Sequence, residues 1–164
     1  METSFNCYVL SSNVSEIYSV DIYRNDKSKR FVQFDKKNIF LNVFKILHLK
    51  NYICDMKEVS GPHRNRVKFW KVNVDEKRIE DDNISTEDDI VQKLSGKEMK
   101  DQALFSSCFK DELANHNNIT AENIHIITIV PTSTGKYLPM FYLLSNKKFA
   151  VTKYRVCSDL LFSR

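Results

Sequence analysis

Glycine and proline are scarce, three of each in 164 residues, which argues against a glycine-lined phosphate loop and against a proline-rich recognition segment. Ser133 to Tyr137 has the outline of such a loop's end, but Val130 stands where its first glycine belongs and Tyr137 where a magnesium-binding Ser or Thr would be. The four cysteines, Cys7, Cys54, Cys108 and Cys157, are widely spaced and form no Cys-x-x-Cys pair. Neither a zinc site nor a disulfide framework follows, and buried free thiols are expected. His48, His63, His116 and His125 are scattered without metal-ligand spacing, so no metal and no cofactor is expected. The acidic residues Glu80 to Asp82 and Glu87 to Asp89 lack the ligand order of a calcium loop and read as a solvated face. No run approaches the ~18 apolar residues of a membrane-spanning helix. Met1 to Leu10 shows no basic stretch followed by an apolar one, so no secretory leader is visible there.

What is present suffices for a core. The chain is 42% hydrophobic and carries eleven Phe and seven Tyr, a globular rather than a disordered composition. Charge is uneven. Thr132 to Arg164 holds six cations against Asp159, a balance of +5 within an overall +4, so the residues up to Pro131 sum to −1. A domain over residues 1–131 and a basic extension over 132–164 follow, the latter with hairpin potential from Tyr137–Leu144 and Phe149–Val156 turned at Ser145-Asn146. The extension suits a packing or partner strand better than nucleic acid, since its cation density is modest.

Within the domain, Phe5 to Leu10 and the alternating Ile17 to Ile22 predict two strands joined as a hairpin. Ile39, Phe40, Val43, Ile46 and Leu47 recur at helical spacing between Asp35 and Lys50, with Asp35 as the cap, and predict the main amphipathic helix. Val67 to Val72 is a β-branched and aromatic stretch suited to a strand. Ser85, ahead of Ile90, Val91 and Leu94 and followed by Gly96, predicts a short capped helix. Ile124 to Val130, closed by Pro131, predicts a buried strand. This order fits an α+β fold, a ubiquitin-like β-grasp with a mixed sheet around one main helix, the helix on one face and the other face solvated or free to bind.

At this level of detail the chain resembles the N-terminal region of Crinkler effectors. Cys7-Tyr8-Val9-Leu10 followed by Ile17 to Ile22 is similar to that family's first hairpin. Val67-Lys68-Phe69-Trp70-Lys71-Val72-Asn73 occupies the place of the oomycete Leu-Phe-Leu-Ala-Lys signature and looks closer to the Leu-Trp-Lys-Val form of the fungal branch. Leu94 to Met99 and Leu104 to Phe109 resemble the family's second half, and His125 to Pro131 resembles its closing His-Val-Leu-Val-x-x-Pro element.

The resemblance implies a non-catalytic N-terminal domain that mediates delivery or protein contact in a secreted, host-directed effector. Its partner would be a host or endogenous protein. Its destination would be the host cell and its nucleus, reached by a non-classical secretion route in the absence of a visible leader. The motif positions it singles out are Val67, Phe69, Trp70, Lys71, Val72, His125 and Pro131. For Phe69, Trp70 and Lys71 the residues themselves allow a recognition surface or a half-buried strand, the second being commoner for large aromatics. Two other readings stay open: a cytoplasmic ubiquitin-like adaptor, and the N-terminal domain of a truncated nuclease or kinase effector.

Overall fold

A computed structural model describes residues 1–11, 15–34, 37–115 and 119–131. Its thirteen elements make an α+β domain with a seven-stranded mixed sheet. The expected hairpin is present as β1 (Thr3–Leu10) and β2 (Glu16–Arg24), antiparallel with Phe5 opposite Val20. Alternation sends Phe5, Cys7 and Val9 to one face and Tyr8 and Leu10 to the other, as the two-residue strand period requires.

The chain continues through β3 (Arg30–Phe34) and β4 (Lys37–Phe40), an antiparallel pair at one edge of the sheet. The helix predicted between Asp35 and Lys50 is therefore misplaced: α1 spans Ile46–Met56 and Asp35 lies outside the described residues. Ile39 and Phe40 pair with Val32 and Phe31 as strand residues, and Phe40 and Val43 stay about half exposed, where a helix would have buried both. The helix proper buries Ile46, Leu49, Lys50, Ile53 and Cys54. Its first amides are met by backbone rather than by a side-chain cap: Ile46 and Leu47 donate to the carbonyls of Ala103 and Asp101 at 3.0 and 2.9 Å.

After α2 (Gly61–Arg64) comes β5 (Phe69–Asp75), which leads into α3 (Glu76–Asp81) and α4 (Glu87–Leu94). The cap of α4 is Thr86, one residue beyond the expected Ser85; its hydroxyl accepts from the Asp89 amide at 3.1 Å while the Asp89 carboxylate accepts from the Thr86 amide at 3.0 Å. At the other end Ser95, not Gly96, takes the left-handed conformation at φ 55°. Gly96 is required for closeness instead: a Cβ there would stand 2.5 Å from Ile90 Cγ2.

The short β6 (Lys97–Met99), α5 (Phe105–Cys108), α6 (Lys110–Ala114) and β7 (Asn123–Ile129) complete the described elements. The strand order is β4-β3-β2-β1-β7-β5-β6, in which β1 and β7 run parallel and every other pair antiparallel.

Core clusters lie on both sheet faces, the second only over β1, β7 and β5. On one, Phe5, Val9, Phe69 and Ile126 pack with Leu49 and Ile53 of α1, Phe105 of α5, Phe109 at the junction of α5 and α6, and Leu113 of α6. On the other, Tyr8, Trp70, Val74 and Ile127 pack with Ile79 of α3 and Ile90 and Leu94 of α4. The expectation of one main helix is corrected accordingly, and the second face is free only toward β2, where Ile17 is exposed. The acidic turns around residues 80–89 carry Ile79, Ile84 and Ile90 on their inner side, so a stretch that reads as solvated roofs a second core. Cys7 and Cys54 are buried free thiols and Cys108 is partly exposed. The extension over 132–164 and its hairpin lie outside the described residues.

Candidate functional site

The seven motif positions separate by the geometry of β5 and β7. Val67 and Phe69 are buried in the core beneath α1, while Trp70 and Val72 are buried in the core beneath α3 and α4. Pro131 is half-buried just after Val130, whose amide donates to the Leu10 carbonyl at 2.8 Å. Lys71 and His125 remain, and the fold brings them to one polar cluster on the α6 side of the sheet.

A β-bulge makes this possible. Asn6 of β1 pairs with Ile124 and Cys7 with Ile126, so His125 is the extra residue of β7. On the β5 side Lys71 pairs with Ile126 and Val74 with Ile124. The bulge turns His125 toward the same face as Ile126. There the imidazole is 2% exposed and meets Phe5 edge-on at 5.5 Å. Its Nδ1 accepts the Asn6 backbone N–H at 3.2 Å, so the hydrogen-bond pattern assigns the remaining proton to Nε2.

Lys71 projects toward α5 and α6. Its Nζ pairs with Glu112 Oε1 at 2.6 Å, donates to the Cys108 carbonyl at 2.8 Å and stands 5.0 Å from the centre of the Phe109 ring. Glu112 is not singled out by the sequence, yet it falls on the apolar stripe of Phe105, Phe109 and Leu113, where a carboxylate is out of place unless it has a partner inside. Among the described residues two buried side-chain polar atoms have no hydrogen-bond partner: Glu112 Oε2, an acceptor, and His125 Nε2, a donor. Both belong to this cluster.

Burial holds the His125 imidazole below its ordinary pKa, with the Glu112 charge acting the other way. Burial likewise raises the Cys108 thiol, outweighing the nearby Lys71, so this cysteine is not an activated nucleophile. A pocket of ≈ 630 Å³ opens beside the cluster, lined by Lys71, Met99 and Cys108 among others. No three His, Cys, Asp or Glu side chains among the described residues gather into a possible metal site. None of the described helices is long and apolar enough to cross a membrane.

The arrangement is chemically inward-looking. The lysine is neutralised by the glutamate, and the histidine's acceptor nitrogen is engaged by a backbone amide. Such a cluster ties β1, β5, β7 and α6 together. Comparison with curated proteins and with solved structures gives no match. Residues 4–128 match the family described as the Crinkler effector protein N-terminal domain, and since this is well over half of the 164 residues, the chain belongs to that family.

Proposed function

We propose that this chain is a host-directed effector whose N-terminal domain, built as a ubiquitin-like β-grasp, serves delivery or protein contact and performs no catalysis. The observation that carries the reading is the family membership of residues 4–128. The sheet supports it: the run β2-β1-β7-β5-β6, with a parallel pair at its centre, follows a β-grasp order, to which β3 and β4 add at one edge and α3 and α4 on the second face. The polar cluster supports it to the extent that Lys71 is paired with Glu112 and the His125 Nδ1 is occupied by the Asn6 amide. In this reading the protein is exported, and its destination is the host cell and its nucleus.

The test is location. The full chain, fused to a fluorescent protein and expressed in the producing organism during host contact, should give signal in host cells, nuclei included. Signal confined to the producer's cytosol would overturn this reading and leave a cytoplasmic adaptor of the same fold.

A further inference from the structure

The bulge residue His125 sits where the sheet's parallel pair is joined, and it is held there by a single acceptor atom. Nδ1 takes the Asn6 N–H at 3.2 Å. The ring is 2% exposed and wedged against Phe5, so it has little room to turn away. An imidazolium carries hydrogen on both nitrogens. Protonation at Nδ1 would therefore set an N–H against the Asn6 N–H, exchanging a hydrogen bond for two donors facing each other, in a place water does not reach.

We propose that His125 is an acid-sensitive latch on the β1–β7 pair: neutral, it closes the bulge through Asn6, and protonated, it forces that junction open. The consequence is a domain that is tight at neutral pH and loosened in a mildly acidic compartment.

The groups around the ring bear on this from every side. β1 offers the Asn6 amide and the Phe5 ring, neither of which titrates. α6 offers Glu112, which favours an imidazolium: its Oε1 is paired with Lys71 of β5, while its Oε2 accepts no hydrogen bond. From α5 comes Cys108, whose thiol burial keeps protonated and whose carbonyl is bound by the same lysine. Burial thus outweighs the one nearby carboxylate, and the imidazole is held below its ordinary range. The sign follows: the unfolded chain, with His near pH ~6.5, binds the proton more readily than the fold does. The contribution is fully present above that value and is lost as pH falls through it toward the lower folded value.

The experiment is urea unfolding of the full chain, followed by Trp70 fluorescence at several pH values between about 7.5 and 5.5, a window that brackets the free imidazole's titration, for the wild type and for His125→Asn. Asparagine offers a carbonyl oxygen near the position of Nδ1 and cannot be protonated. The wild type should show an unfolding constant rising by up to about tenfold per pH unit at the steepest part of this window. His125→Asn should show a flatter profile, with His48, His63 and His116 still present as the background. A variant slope equal to that of the wild type would overturn the proposal. A second readout needs no variant: histidine-labelled nitrogen NMR of the folded wild type near neutral pH should find His125 as the Nε2–H tautomer. Finding instead a charged ring at pH ~6.5 with the Asn6 amide still protected from exchange would refute the latch.

Discussion

Replacing Lys71 with Met tests whether the α6 side of the sheet is held by a charge pair or by packing alone. The substitution keeps the apolar stem and removes three interactions: the 2.6 Å pair with Glu112, the 2.8 Å bond to the Cys108 carbonyl and the cation 5.0 Å from the Phe109 ring centre. The side chains are 25% and 18% exposed. The pair therefore stands between a surface bridge, worth about 0–1 kcal/mol, and a buried one, whose breaking costs roughly 3–5 kcal/mol because a charge is stranded. An intermediate cost of about 2–3 kcal/mol is expected. With a urea m-value of roughly 2 kcal/mol/M, the midpoint should fall by about 1–1.5 M. Trp70, the single tryptophan and 2% exposed, reports the transition. The double replacement Lys71→Met with Glu112→Leu removes both charges together and should recover most of the loss. If the single change costs under about 0.5 kcal/mol, within the range of an ordinary surface pair, or if the double change is as damaging as the sum of the singles, the reasoning fails.

Other substitutions probe local geometry. Gly96→Ala should destabilise by about 1–3 kcal/mol in thermal or urea unfolding, because its methyl would enter the space 2.5 Å from Ile90 Cγ2, a branched side chain with no freedom to retreat. Thr86→Ala should cost about 1 kcal/mol by removing the cap of α4. Within that capping box, hydrogen bonding from Lys93 and then from Thr86 holds the Asp89 carboxyl well below the usual carboxylate range. Its contribution is therefore present above the unfolded value near pH ~4 and disappears as pH falls through the lower folded value. A pH series for Asp89→Asn should show a shallower acid limb than the wild type.

The hairpin β1–β2 is legible because its polar and apolar residues alternate over a whole strand, and β7 because an apolar run from Ile124 ends at a proline. The helix is misplaced in the sequence reading because Ile39 and Phe40 happen to fall at helical spacing with Ile46 and Leu47, although the first two pair across β3. In β3 itself, Val32 and Phe34 alternate with Phe31 and Gln33, but the neighbouring Lys27 to Arg30 make the stretch resemble a polar loop. β6 has three residues, too few to carry any period. Of the polar cluster, Lys71 and His125 stand out in the sequence for other reasons, and their partnership through Glu112 is not legible there. Bringing them together takes a bulge at residue 125, and no local pattern announces a bulge.

The position of β7 has a consequence for how this protein is made. It is the last strand of the described fold, yet it lies in the middle of the sheet, between β1 and β5. A ribosome releases the chain from its amino end, so the β1–β2 hairpin and the β5–β6 pair emerge long before the strand that joins them. Until residues 123–129 leave the exit tunnel, one edge of β1 and one edge of β5 have no partner, and neither core can close. Assembly is thus postponed until β7 is out, and a message broken ahead of the codons for residues 123–129 would yield two half-sheets with exposed strand edges, a substrate for chaperones and proteases rather than a smaller folded protein.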